Sequence, residues 1–321
     1  MRRILVIRGG AIGDFVLTLP AVKLLRDAYP QAGLEILGSP HIAALAEKRF
    51  YADAVRSIEA AALARFFAED SALPQDLVGY FGAFDLVVSY LFDPDKIFER
   101  NVRRCGVKKF LACSPQIHGA EHAARQLARP LEELGLALTD HAPGLFPNAA
   151  DREFARGNFP EDRTISLHPG SGSVRKNWPL EHWIALIDQL LTVQPESTLL
   201  IIGGEADEGQ LTKLQSAFSD RVRFAKNLDL VHLAAVLERG ALFIGHDSGI
   251  SHLAAAVGTP SLLLFGQTDP AVWAPADATV IQSRTGLMSD ISVADVENAA
   301  NRALRTDAHR HQDIKEGRLN L

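Results

Sequence analysis

The sequence predicts an α/β protein built from two doubly wound domains, residues 1–150 and 151–321, facing each other across a cleft. Three observations predict it. Short apolar runs alternate with longer stretches whose apolar residues recur near helical spacing. The alternation starts afresh near residue 164, after a stretch rich in proline and glycine. The length, 321 residues, exceeds what one core ordinarily serves.

In order, Ile4-Leu5-Val6-Ile7 is an unbroken apolar run of strand length, and Asp14–Tyr29 follows as a helix. Leu34–Leu37 and Leu86–Ser89 are further strands, and Arg103–Leu111 carries a loop and a short strand. Glu121–Leu134 reads as a helix stopped by Gly135. Asp140–Asp162 holds three prolines, two glycines and little periodicity, and reads as the domain connection. Thr164–Leu167 opens the second series. Pro179–Leu191 is a helix with proline in its first turn, a favoured place. Thr198–Ile202 is a buried strand closed by Gly203-Gly204, Asp229–Arg239 a helix, Leu242–Ile244 a strand, Gly249–Val257 a helix and Ser261–Phe265 a strand. Ser292–Leu304 is a helix striped by Val293, Val296, Ala300 and Ala303; it is expected to return to the first domain, with Thr306–Leu321 loose or packed across the junction.

A hydrophobic share of 47% and a charged share of 22% describe a globular protein. No run approaches a membrane span, and a strand near residue 4 leaves no room for a signal peptide. Cys105 and Cys113 have neither metal nor disulfide spacing, so a reducing cytoplasm fits. A net charge of −6 argues against nucleic acid as a partner. The cations Lys96, Arg100, Arg103, Arg104, Lys108 and Lys109 crowd one segment. They form either a solvated helix face and loop or a patch that meets an anionic acceptor or membrane surface.

The loops after the strands carry the chemistry, because ligands of such sheets bind at the strands' carboxyl ends. Ile7-Arg8-Gly9-Gly10-Ala11-Ile12-Gly13-Asp14 has only half of a dinucleotide fingerprint, since Arg8 stands where the first glycine belongs. No Gly-Lys-Ser/Thr follows, so it is not a P-loop. Asp14 reads either as a helix cap or as a general base, since aspartates are ionised near neutrality and can take a proton from an attacking hydroxyl. In His168-Pro169-Gly170-Ser171-Gly172-Ser173-Val174-Arg175-Lys176, small residues admit backbone N–H groups to an anion, and Lys176 can neutralise a phosphate. An ordinary polar loop is the alternative. Gly245–Gly249 likewise follows a strand and opens a helix, so Ser248 and Gly249 can present N–H groups to a phosphate. His246 excludes a nucleophile elbow there, and His252 lies one turn into that helix.

With these residues in view, the chain resembles the heptosyltransferase family of glycosyltransferases (glycosyltransferase family 9). The resemblance is carried by ILVIRGGAIGDFVLTLPAVKLLRDAYP, by HPGSGSVRKNWPLEHW, by FIGHDSGISHLAAAVGTPSLLLFGQTDPAVWAP, and by Gly203-Gly204-Glu205, in family order from residue 4 to about 275. It implies two Rossmann-like domains of the GT-B type and an inverting transfer of a sugar, a heptose by default, from a nucleoside diphosphate, with neither metal nor cofactor. It implies Asp14 as base, with Gly10 and Gly13 letting the acceptor approach. It assigns Lys176 to the donor phosphates, with Ser171, Gly172 and Ser173 beside it, and Asp247, Ser248 and Gly249, with His252 behind, to the diphosphate. The acceptor it implies is a glycan such as lipopolysaccharide inner core, handled in the cytoplasm or at the inner face of the cytoplasmic membrane. One departure concerns the nucleotide: where several family members carry a ribose-binding glutamate, this chain has Val231, with Asp229 and His232 nearby. ADP is the family's default. A nucleotide-sugar epimerase and a silent sugar-nucleotide binder are the competing readings.

Overall fold

A computed structural model describes residues 1–315. Its contacts divide the chain into two units, Met1–Phe146 and Pro147–Leu321, four residues before the expected boundary at 150.

The first unit runs β1 (Arg3–Arg8), α1 (Ile12–Ala28), β2 (Gly33–Gly38), α2 (Pro40–Ala43), β3 (Ala54–Ser57), α3 (Gln75–Gly82), β4 (Leu86–Ser89), α4 (Ile97–Arg104), β5 (Lys109–Ala112) and α5 (Ala123–Ala128). Its five strands pair in parallel in the order β3-β2-β1-β4-β5. Every residue of β4 is buried, as expected of a strand covered on both faces by helices. Leu5, Ile7, Val87, Phe66, Phe81 and Phe98 pack together on one side of the sheet. The expected helix 121–134 is shorter. Pro130 has no N–H to give an α-helical ladder, and Arg129–Leu134 continues as a 3-10 helix that ends at Gly135 in the left-handed region.

The second unit runs α6 (Ala149–Asn158), β6 (Ile165–Leu167), α7 (Leu180–Val193), β7 (Leu199–Gly203), α8 (Glu208–Phe218), β8 (Arg223–Lys226), α9 (Leu230–Glu238), β9 (Leu242–His246), α10 (Gly249–Ala256), β10 (Ser261–Phe265), α11 (Pro270–Trp273), β11 (Thr279–Gln282) and α12 (Val293–Lys315). The sheet order is β11-β10-β9-β6-β7-β8, again all parallel. Helix α6 corrects the reading of 140–162 as plain connection. Asn148 and Asp151 cap it reciprocally, and Arg152 makes a two-pronged ion pair with Glu238 of α9 at 2.7 Å. It spans only ten residues and buries only Asp151 and Ala155, so it lacks the apolar stripe that a periodicity reading looks for.

The terminal helix was expected to return to the first unit. Instead Val296, Ala299, Ala300 and Leu304 lie in the second unit's own core, with Trp178, Trp183 and Ile244. The helix also runs on to Lys315, past the point where a loose tail was expected; of that expectation, residues 316–321 lie outside the described residues.

Both sheets reverse strand order at one place, between β1 and β4 in the first unit and between β6 and β9 in the second. Loops at such a reversal diverge and leave room for a ligand. The loops after β1, β6 and β9 are those the sequence singled out.

Candidate active site

In the first unit, Asp14 sits in the first turn of α1, and its Oδ2 accepts the Ala11 N–H at 3.0 Å. The capping reading is therefore realised, yet the side chain stays 41% exposed. Beneath it Arg8 is buried and 4% exposed at its side chain. The Arg8 guanidinium donates to the Asp14 carbonyl at 3.2 and 3.4 Å, stands 3.7 Å from Oδ1, and lies over the Tyr90 ring. Burial lowers the Arg8 pKa, and Asp14 opposes that shift. Gly10 has φ +98°, and a Cβ there would stand 2.8 Å from Asp14 Oδ2. Glycine at 10 thus lets the loop fold against the carboxylate. Gly13 is half-buried in the first turn of α1.

The carboxyl ends of β4 and β5 in the same unit enclose a cavity of about 210 Å³. Ser89, Phe92, Asp93, Lys96, Glu99 and Ser114 are among its walls. Phe92 is 62% exposed, and Lys96 holds the left-handed conformation at φ 56°. The sequence reading passed over this cavity. Nearby, three of the six clustered cations are paired: Arg100 with Glu69, Arg103 with Glu99 and Lys108 with Asp85. Carboxylates therefore stand against half of the cations that the sequence crowds together here.

In the second unit, Lys176 Nζ donates to Asp247 Oδ2 at 2.6 Å, joining two motifs 71 residues apart. Lys176 keeps 39% of its side chain exposed, while Asp247 keeps 10%. Ser248 caps α10, accepting the Ser251 N–H at 3.4 Å, and Gly249 is the first helical residue. The first-turn N–H groups of such a helix lack intrahelical acceptors and carry the positive end of its dipole. Ser171 Oγ lies 2.7 Å from the Ser173 carbonyl and 2.6 Å from Asn177 Oδ1, and accepts the Ser173 N–H at 3.2 Å. It shapes the loop, while Gly172 is exposed. His252 is buried in α10, only 4% exposed. Val231 and its neighbours open α9, where His232 stacks on Phe154 at 3.8 Å and stands 3.6 Å from Asp229.

Beneath this surface lies a layer the sequence reading did not find. His246 is fully buried; its Nε2 accepts the Trp178 N–H at 2.9 Å and its Nδ1 stands 3.1 Å from the Gly170 carbonyl. Burial pulls its pKa down to about 3, so the ring is neutral. Asp207 accepts the Gly204 N–H at 2.9 Å and lies 3.5 Å from His168 Nε2. Burial works against its charge, but these hydrogen bonds prevail and hold the Asp207 carboxyl below its ordinary value. A Cβ on Gly170 would come within 1.8 Å of Asp207 Oδ1. Of these contacts, only Gly204-x-x-Asp207 leaves a local trace, as an acidic residue at the third position of a helical start.

Among the described residues, no cluster of His, Cys, Asp or Glu could hold a metal ion, and no helix is long and apolar enough to cross a membrane. Two successive doubly wound units of this topology are the GT-B class of glycosyltransferase fold. The chain belongs to glycosyltransferase family 9 (heptosyltransferase), whose family model matches residues 115–299. Lipopolysaccharide heptosyltransferase 3 of Escherichia coli strain K12 is 26% identical over 306 residues, 85% of either chain. The glycosyl transferase family 9 structure from Veillonella parvula DSM 2008 superposes with a TM-score of 0.78 at 20% identity, covering 95% of this chain and 97% of that one. ADP-heptose lps heptosyltransferase II of E. coli gives 0.76 at 16% identity, over 96% and 100%. At such identities these structures share the fold.

Proposed function

We propose that this protein transfers a heptose, with inversion, from a nucleoside diphosphate to a glycan of the lipopolysaccharide inner core, and that ADP is the nucleotide. The observation that carries the reading is that Asp247 holds the partly exposed Lys176 ammonium beside the N-terminus of α10, so that a positioned cation and first-turn N–H groups meet at the sheet reversal of the second unit. Family membership and the names of the relatives support the sugar and the acceptor.

In this reading the donor diphosphate lies against Lys176, Ser248 and Gly249. The acceptor is received by the first unit, where the cavity beside Phe92 offers an aromatic face for a sugar ring and hydroxyl and carboxylate partners for its oxygens. Asp14 accepts the proton of the attacking hydroxyl as the new C–O bond forms. The bond from the anomeric carbon to the phosphate oxygen breaks, and its electron pair leaves with the diphosphate. Lys176 and the N–H groups of α10 stabilise that growing charge, with no metal assigned a role. The reaction belongs to the cytoplasm, at the inner face of its membrane.

The test is a donor and acceptor panel on the purified chain. ADP-heptose with a truncated lipopolysaccharide core is expected to give transfer, and ADP is expected to raise the melting temperature more than UDP or GDP does. Epimerised sugar without an acceptor, or binding without turnover, would contradict the assignment.

A further inference from the structure

We propose that His246 is a positioning residue: its imidazole latches both ends of the 170–178 segment to the end of β9, and so sets Lys176 against Asp247. The inference rests on the donor-site reading above.

The segment carries Ser171, Ser173 and Lys176, and its only regular structure is the 3-10 turn Val174–Lys176. Val174 is 86% exposed, so the turn has little packing of its own. Its hold comes from below. The Trp178 N–H can only donate, which makes His246 Nε2 the acceptor and leaves the ring proton on Nδ1, directed at the Gly170 carbonyl. One ring therefore closes the mouth of the loop. Of the groups around it, Asp207 and Asp247 favour its protonation and His168 opposes it, and burial outweighs the two carboxylates, so the ring stays neutral. A doubly protonated ring would turn an N–H against the Trp178 N–H. On the far side, Trp178 is fixed by donation from Nε1 to the Ile291 carbonyl at 2.9 Å and by an edge contact with Trp183. The residue after His246 is Asp247, the acceptor for Lys176. Two consecutive residues at the end of β9 thus supply the latch and the ion-pair partner of one loop.

A packing role would need only a ring of this size, whereas a latch needs both nitrogens. His246→Phe separates the two, since it fills the space and leaves the Gly170 carbonyl and the Trp178 N–H buried without partners. The experiment uses the full chain with His246→Phe, His246→Gln and Lys176→Ala. It reads trypsin cleavage after Arg175 and Lys176 under native conditions, and ADP binding by calorimetry. The Phe variant, with wild-type circular dichroism, is expected to be cut about tenfold faster and to bind ADP about tenfold more weakly, the scale of one lost buried hydrogen bond. The Gln variant, whose Oε1 can accept the Trp178 N–H, is expected to recover most of both. Wild-type cleavage and affinity in a folded Phe variant would overturn the latch. Should that variant fail to fold, a Gln variant cut as fast as a denatured loop would overturn it, because the restored acceptor would then hold nothing. Faster cleavage in the Phe variant, together with a wild-type chain that binds no ADP, would keep the latch and overturn the donor-site reading.

Discussion

The loop after β1 and the loop after β6 are made with the same backbone device and carry opposite charge. Each follows a central parallel strand at a sheet reversal, and each needs a glycine pressed against a carboxylate: Gly10 against Asp14, Gly170 against Asp207. In the first unit the carboxylate is the group presented to solvent, and a buried cation, Arg8, holds it from below. In the second the carboxylate is interior, and the group presented is a cation, Lys176, held through a neutral ring and paired to Asp247. A glycine loop after a strand is therefore not in itself a phosphate cradle. The charge buried under it decides what it offers.

The sharpest way to break the comparison is to neutralise the exposed carboxylate. Asp14→Asn keeps an oxygen that can accept the Ala11 N–H, so the loop should hold its shape while the proton acceptor is lost. Turnover is expected to fall about 10²-fold or more, the range of general-base contributions, in a steady-state transfer assay. Turnover within a few-fold of wild type would leave Asp14 as a cap alone.

The counterpart in the second unit is Gly170→Ala. The new methyl would overlap an aspartate that Gly204 and His168 hold in place. Overpacking of this kind costs about 1–3 kcal/mol, which calorimetry should register as a melting point several degrees lower. An unchanged melting point would mean that Asp207 moves freely.

His246 also makes stability depend on pH, and the sign follows from its lowered pKa. Between about 6.5 and about 3 the unfolded chain binds a proton that the folded chain refuses. Stability on this account is full above the ordinary histidine range and is lost as the pH falls through it. His246→Gln removes the term, so its urea midpoint should decline less between pH 7 and 5 than that of the wild type. Parallel declines would place the proton elsewhere. The smallest effect expected is that of Phe92→Ala, a few-fold rise in acceptor KM with donor KM unchanged, since an exposed aromatic contact is worth only about 1 kcal/mol.

How much of this was legible in the sequence differs by layer. The central strands were, because a parallel strand buried on both faces must be an unbroken apolar run, as Ile4–Ile7 and Leu262–Phe265 are. The edge strands β3, β8 and β11 were missed, since half-buried residues such as Ala54–Ser57 leave no such run. Helix α6 was missed because its stability comes from a capping box and from Arg152 on Glu238, neither of which has a period. At the site, the surface groups Asp14, Lys176 and Asp247 stood out through their place after strands. Their supports did not. His168, Asp207 and His246 come from three strand ends and meet only through the sheet.

The claim underlying the whole account is that proton transfer and anion binding are divided between the two units. Its most direct test is ADP affinity, measured by calorimetry on Asp14→Asn and Lys176→Ala side by side. The division predicts wild-type affinity in the first and a loss of about tenfold or more in the second, as expected when one charge-assisted contact is removed. Equal losses in both variants, or full affinity without Lys176, would contradict it.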